Sequence, residues 1–213
     1  MSEISYRKLT KNDYETIKSI ISEAFGFHKI IRDKNLLNKA LNIYLHSCLR
    51  ETTFNEVAEK DGEVIGLIFG NCKNSLKKTT YLVNSAIVLW NSLSIACCKS
   101  QYKANLKEYR KILTVYDEFM KNRKHRFQGS VALFAVRESC RGYGVGKHLM
   151  NSLLNYMKTK NANSIYVYTD TICNYGFYES QGFIRLDERT LEIQISTTES
   201  SPLNVFMYEY IIS

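Results

Sequence analysis

Residues 131–146 constrain the fold more than any other stretch. Residues 131–136 form a strongly apolar strand pattern, 137–140 a short loop, and Arg141-Gly-Tyr-Gly-Val-Gly146 opens a helix expected over about 145–158. Glycines at 142, 144 and 146 allow a tight turn and let backbone amides approach a ligand, and the helix N-terminus that follows favours an anion. A pyrophosphate suits such a turn; a Gly-rich turn without ligand is the alternative. The spacing is not that of a dinucleotide fold, which needs G-x-G-x-x-G directly after a strand and an acid about twenty residues on.

The rest of the chain supplies the elements around this unit. Residues 4–9 alternate as a short strand, and Thr10 to Asp13 offer helix caps before Tyr14, Ile17, Ile20, Ile21 and Ala24 at helical spacing. A second helix is expected over about 33–48. Strands at 54–58 and 64–69 follow, joined by the hairpin signal Asp61-Gly62. Further strands are expected at 165–169, 183–186 and 205–210, with a short helix at 175–180.

Between the third and fourth strands, residues 72–126 read as a basic helical insertion. They hold an apolar helix and a more polar one in which Leu106, Tyr109, Ile112, Leu113, Tyr116 and Phe119 keep i, i+3, i+4 spacing. The uncharged run 79–98 is long enough to span a bilayer, but five polar residues make transfer costly. Pairs 84/91 and 85/92 form a polar stripe, so a mostly buried amphipathic helix is expected and no membrane partner.

The two most informative stretches resemble one known family. The run Phe134-Ala-Val136, then Arg141-Gly-Tyr-Gly-Val-Gly146 after four residues, resembles the acetyl-CoA signature R/Q-x-x-G-x-G/A of the GNAT superfamily of N-acetyltransferases, matching at Arg141, Gly144 and Gly146. About thirty residues on, Asn174-Tyr-Gly-Phe-Tyr178-Glu-Ser-Gln-Gly182-Phe183 is similar to that family's late helix and strand. The resemblance implies an α+β fold: a mixed, mostly antiparallel central sheet flanked by helices, here with the helical insertion between strands 3 and 4. It covers the chain apart from 72–126, so 1–213 reads as a single acetyltransferase domain.

For chemistry, the resemblance implies acetyl-CoA as cosubstrate and a primary amine of a small molecule or peptide as acceptor, joined by direct attack. The cofactor would lie on Ala135, Val136, Arg141, Gly142, Tyr143, Gly144, Val145, Gly146 and Lys147. The Val136 N–H would polarise the thioester carbonyl. Tyr178 would protonate the leaving thiolate as general acid, although a phenol of ordinary acidity needs help from its site. Asn174 would contact the cofactor or cap the late helix. The family often has Asn where Thr171 stands, and a Glu on the fourth strand where Gly129-Ser-Val-Ala-Leu133 has none. Glu56, Glu59 and Asp170 are the candidate bases instead. An acyl-Cys route through Cys173 is less favoured, since direct transfer needs only proximity. A non-catalytic acyl-CoA sensor or partner-binding module of the same fold is the alternative function.

Composition decides among partners. The chain of 213 residues carries 29 Lys and Arg against 21 Asp and Glu, a net charge of +8. Twelve of those basic residues and three of the acidic ones fall within 72–126, leaving 17 and 18 elsewhere, so the surplus belongs to the insertion. A nucleic-acid face of Lys99, Lys103, Lys107, Arg110 and Lys111 is disfavoured, because charged faces are usually only solvated and the insertion carries no known DNA-reading motif. Six cysteines without C-x-x-C spacing and a start without an apolar signal segment point to the cytoplasm and free thiols. No metal site is expected from the four His. A homodimer is compatible with the sequence.

Overall fold

The computed structural model describes residues 3–96, 100–194 and 200–212. The chain opens with β1 (Ile4–Arg7), and Thr10 forms a capping box with Asp13 ahead of α1 (Tyr14–Ala24). A short helix α2 (Phe27–Ile30) precedes α3 (Lys34–Glu51), which Asp33 caps by accepting the Leu36 N–H at 2.9 Å. A hairpin of β2 (Phe54–Lys60) and β3 (Glu63–Cys72) turns at Asp61-Gly62. Two helices, α4 (Lys78–Ala96) and α5 (Ser100–Met120), then precede β4 (Gly129–Val136). The chain continues through α6 (Val145–Thr159), β5 (Ser164–Asp170), α7 (Gly176–Ser180), β6 (Ile184–Gln194) and β7 (Ser200–Ile211).

The strands form one seven-stranded sheet in the order β1-β2-β3-β4-β5-β7-β6. Every neighbouring pair is antiparallel except β4 and β5. Those two pair only at Gly129 with Ile165 and Ser130 with Tyr166, then part. The mixed, mostly antiparallel sheet expected from the sequence is thus present, and its one parallel junction opens into a gap.

Both faces of the sheet are covered. On one, Leu149, Leu153 and Met157 of α6 bury against Ile68, Ile165 and Tyr208. On the other, Ile17, Ile21, Leu41 and Leu45 of α1 and α3 cover Val57, Leu67 and Leu133. A third cluster sets Val115 and Phe119 of α5 on Phe127, Leu203, Val205 and Met207. Helix α5 is therefore part of the core. Basic residues of this segment are consumed in the closure. Arg126 ion-pairs with Glu209, a carboxylate only 3% exposed that also accepts from Ser164 Oγ at 2.7 Å. Arg123 pairs with Asp187 at 2.7 Å, and Lys111 Nζ donates to Glu192 O of β6 at 3.3 Å. Lys99 and the side chains of Lys103 and Lys107 lie outside the described residues, as do Cys97 and Cys98.

Helix α4 departs from the expected burial. The Asn84 side of its polar stripe faces inward, with Asn84 buried against α3 and its Oδ1 2.6 Å from His46 Nδ1, while Asn84 Nδ2 donates to Thr80 O at 2.9 Å and Ser92 stays exposed. The opposite face is apolar and exposed, with Leu82, Leu89 and Leu93 more than half accessible and Trp90 75% accessible. The helix is thus not mostly buried, and its amphipathicity is inverted.

Candidate active site

The apolar run of β4 ends where the sheet splits. The Arg137 N–H donates to Ile65 O at 2.8 Å, and in an antiparallel pair alternate residues turn their backbone polar groups to opposite sides. Val136, paired with Gly66, therefore points its N–H and C=O away from β3 and toward the gap that β5 leaves. Phe134, two residues back, shares that orientation.

The Gly-rich turn closes one side of the gap. Cys140 and Arg141 spend their own N–H groups on Arg137 O and Glu138 O in a 3-10 turn, so Arg141 contributes its side chain rather than its amide. The first backbone bond of α6 is His148 N–H to Gly144 O at 3.0 Å. The N–H groups of Val145, Gly146 and Lys147 are thus the donors that a helix N-terminus leaves without intrahelical acceptors. Gly144 caps α6 with φ 80°, a left-handed conformation that costs other residues strain, and a Cβ there would meet no atom within 4 Å. That open space beside unspent amides, flanked by the exposed Arg141 and Lys147, fits a phosphate group. Gly146 serves a different need. A Cβ at this position would lie 3.2 Å from Phe134 Cζ and 3.3 Å from Phe177 Cε2, so its absence lets α6 approach α7 across the end of β4.

Helix α7 closes the other side and carries Tyr178. The phenol ring is buried among Phe134, Phe177, Phe183 and Tyr208, with centroids 5.5 to 6.2 Å away. Burial first, then Cys173 and Asp170, push its pKa well above the ordinary tyrosine range. Glu179 anchors the helix from outside by accepting from Arg185 at 2.7 Å and from the Tyr208 hydroxyl at 2.8 Å.

Asp170 and Cys173 join Tyr178 in one cluster at the end of β5. Asp170 Oδ1 accepts the N–H groups of Ile172 and Cys173 at 2.8 and 3.2 Å, and burial raises its carboxyl despite these bonds. Cys173 is pushed up to about 12, by burial and then by Asp170. Its thiol stays protonated at neutral pH and is a poor nucleophile.

The remaining predicted residues are placed elsewhere. Glu59 accepts from Arg7 Nε at 2.7 Å, and Arg7 also binds Asp13, so this carboxylate belongs to an ion-pair network at the β1–β2 edge. Glu56 stands in a cross-strand row with Ile68 and Phe134, two strands from β4, and its buried Oε2 has no hydrogen-bond partner. Asn174 does not cap α7, whose N-cap is Tyr175 without a side-chain bond; its side chain is exposed on the gap-side loop. What sequence reasoning missed is the parting of β4 and β5, because strand pairing partners leave no local signal. It also missed the phenylalanine pair beneath the turn, Phe134 and Phe177, with ring centroids 5.0 Å apart.

Comparison with known proteins gives one answer. The profile of the acetyltransferase (GNAT) family matches residues 15–183. Among solved structures, Ard1 from Thermoplasma volcanium aligns with a TM-score of 0.53 at 19% identity, covering 99% of this chain and 98% of that one. An N-acetyltransferase from Staphylococcus aureus Mu50 aligns with a TM-score of 0.55 at 14% identity, covering both chains fully at 100%. For yncA from Salmonella typhimurium, solved with its cofactor acetyl-CoA, the TM-score is 0.54 at 13% identity, over 99% of this chain and 94% of that one. A sequence search of curated proteins finds no match. At these identities the likeness to solved structures is one of fold, whereas the profile match spans most of the chain. By that match over residues 15–183, the chain belongs to the acetyltransferase (GNAT) family and is an acyltransferase.

Proposed function

We propose that this protein transfers the acetyl group of acetyl-CoA to a primary amine of a small molecule or peptide by direct attack. The observation that carries this reading is the convergence at one gap of an outward-facing Val136 N–H, the unspent amides at the start of α6 and the buried Tyr178. The pyrophosphate would rest on the amides of residues 142–147, with the Arg141 and Lys147 side chains beside it and Asn174 on the facing loop. Ala135 and Val136 would run along the pantetheine arm. The Val136 N–H would hold the carbonyl oxygen where negative charge develops.

The amine nitrogen attacks the thioester carbon; the C–N bond forms as the C–S bond breaks, and sulfur leaves as thiolate. Tyr178 gives that thiolate its proton. Its raised pKa makes a weaker acid, but a thiolate expelled into the same apolar surroundings is equally deprived of water and binds a proton more strongly. Of the three candidate bases, Asp170 is the one whose charge is felt at Tyr178, and a carboxyl raised by burial is the better acceptor of the ammonium proton.

Titrating acetyl-CoA against thermal unfolding tests the binding half of this reading, since a ligand of the folded state raises Tm by mass action. Saturable stabilisation is expected. No shift and no calorimetric heat would overturn it, and a shift without CoA release from any amine would leave a binding module in place of an enzyme.

A further inference from the structure

We infer that the outer face of α4 docks on an anionic lipid surface, lying in the bilayer interface without crossing it. Leu82, Ala86, Leu89, Trp90 and Leu93 stand at i, i+4, i+7, i+8 and i+11, a single exposed stripe. A patch of this kind, built around a large aromatic, marks an interaction site on a soluble surface. The inversion of the helix strengthens the point. The two asparagines, Asn84 and Asn91, are turned toward α3 or bonded to the helix backbone, and the leucines face out.

Charge selects the partner. From Val64 to Lys107 the sequence contains no Asp or Glu. Within that stretch Lys77 precedes the helix and Lys78 opens it, and Lys99, Lys103 and Lys107 follow it in sequence. Lys77 and Lys78 are exposed at the N-terminal end of the stripe. An apolar face with a Trp along it and exposed lysines at its N-terminal end is the pattern of a helix held at the headgroup level of an anionic membrane. A second copy of the chain is the weaker occupant, because a two-fold contact through the same stripe would bring two acid-free, lysine-bearing segments together. No helix among the described residues is long and apolar enough to cross a membrane, and docking on the surface does not require one. The sequence leads to an expectation of no membrane partner; that expectation rests on the cost of an inserted span, which surface docking does not incur.

Trp90 is the one tryptophan of the chain and so reports directly on the stripe. Intrinsic fluorescence of the full chain is followed while vesicles of phosphatidylcholine, alone or mixed with phosphatidylglycerol, are added. A blue shift with the mixed vesicles is expected, quenched by brominated acyl chains and reversed by high salt. The double variant Lys77→Gln/Lys78→Gln should bind more weakly by on the order of thirtyfold, at about fivefold per lysine. Leu89→Ser/Leu93→Ser, at exposed positions, should abolish the shift while Tm stays unchanged. No shift on anionic vesicles, or an equal shift on neutral ones, would overturn the inference. So would a blue shift that grows with protein concentration in the absence of lipid together with a dimer mass in light scattering.

Discussion

At the scale of single residues, the charges in this fold divide into those that hold structure and those that face the gap. Asp13 is the clearest structural case. Hydrogen bonds from Arg7, outweighing the cost of burial and joined by Thr10, hold its carboxyl at about 2 against an ordinary 3.8. A carboxyl depressed on folding stabilises above its unfolded pKa and loses that contribution as pH falls through the folded one. The Arg7–Asp13 pair is therefore fully effective above about pH 4 and fades toward pH 2. Because the Arg7 side chain is 35% exposed, solvent screening limits the effect. Asp13→Asn should cost about 1 to 2 kcal/mol in urea unfolding at pH 7, and less as the pH approaches 2.

The gap residues make a sharper kinetic prediction. Tyr178→Phe should keep acetyl-CoA affinity and lower kcat by about a hundredfold or more, the usual contribution of a positioned general acid. Cys173→Ser should leave kcat within a few-fold of the parent, since a thiol raised to about 12 is not the nucleophile. Steady-state kinetics of the two variants would distinguish direct attack from an acyl-Cys route. The place of Tyr178 on the late helix was legible in the sequence because the F-Y-E run carried it. The ion pairing of Glu59 was not, because residue types do not show which carboxylates find a partner.

Among the elements, the Gly-rich turn and the helix it starts carry the proposed recognition. Gly144→Trp would place a side chain in the open space beside the amides and pay the strain of φ 80°. The expected result is loss of the acetyl-CoA thermal shift with a stability cost of about 1 kcal/mol in the free protein. Most elements could be read from periodicity: α1, α3, α6, the hairpin and β4 sit within a few residues of their expected places. Strand β6 runs to Gln194, well past the expected 186. Its sequence Ile-Arg-Leu-Asp-Glu-Arg-Thr-Leu-Glu-Ile-Gln is charged because it is an edge strand with one face in water. Helix α4 misled for the opposite reason. Its spacing gave a correct helix, but a polar stripe does not announce which way it turns, and here a buried His46 supplied the inward partner.

For the whole molecule, the basic segment 72–126 is joined to the sheet through a shared core. Val115 and Phe119 complete a buried cluster with β7, and Arg126 neutralises the buried Glu209. Phe119→Ala should cost about 3 to 5 kcal/mol in denaturant unfolding. Replacing 75–125 with a short linker should prevent cooperative folding, whereas a shortened chain with unchanged Tm would show the segment to be an appendage. The net charge of +8 thus describes how this segment closes on the sheet and what surrounds α4, more than it describes the gap.

The central claim, that the split between β4 and β5 is an acetyl-transfer site, is tested most directly by thiol release. Acetyl-CoA is incubated with the full chain and a panel of amines including polyamines, aryl-alkylamines, aminoglycosides and peptide N-termini, with Gly144→Trp as control. Amine-dependent release of CoA by the parent and its loss in the variant are predicted. Release that is equal in both proteins, or absent across the panel although acetyl-CoA binds, would contradict it.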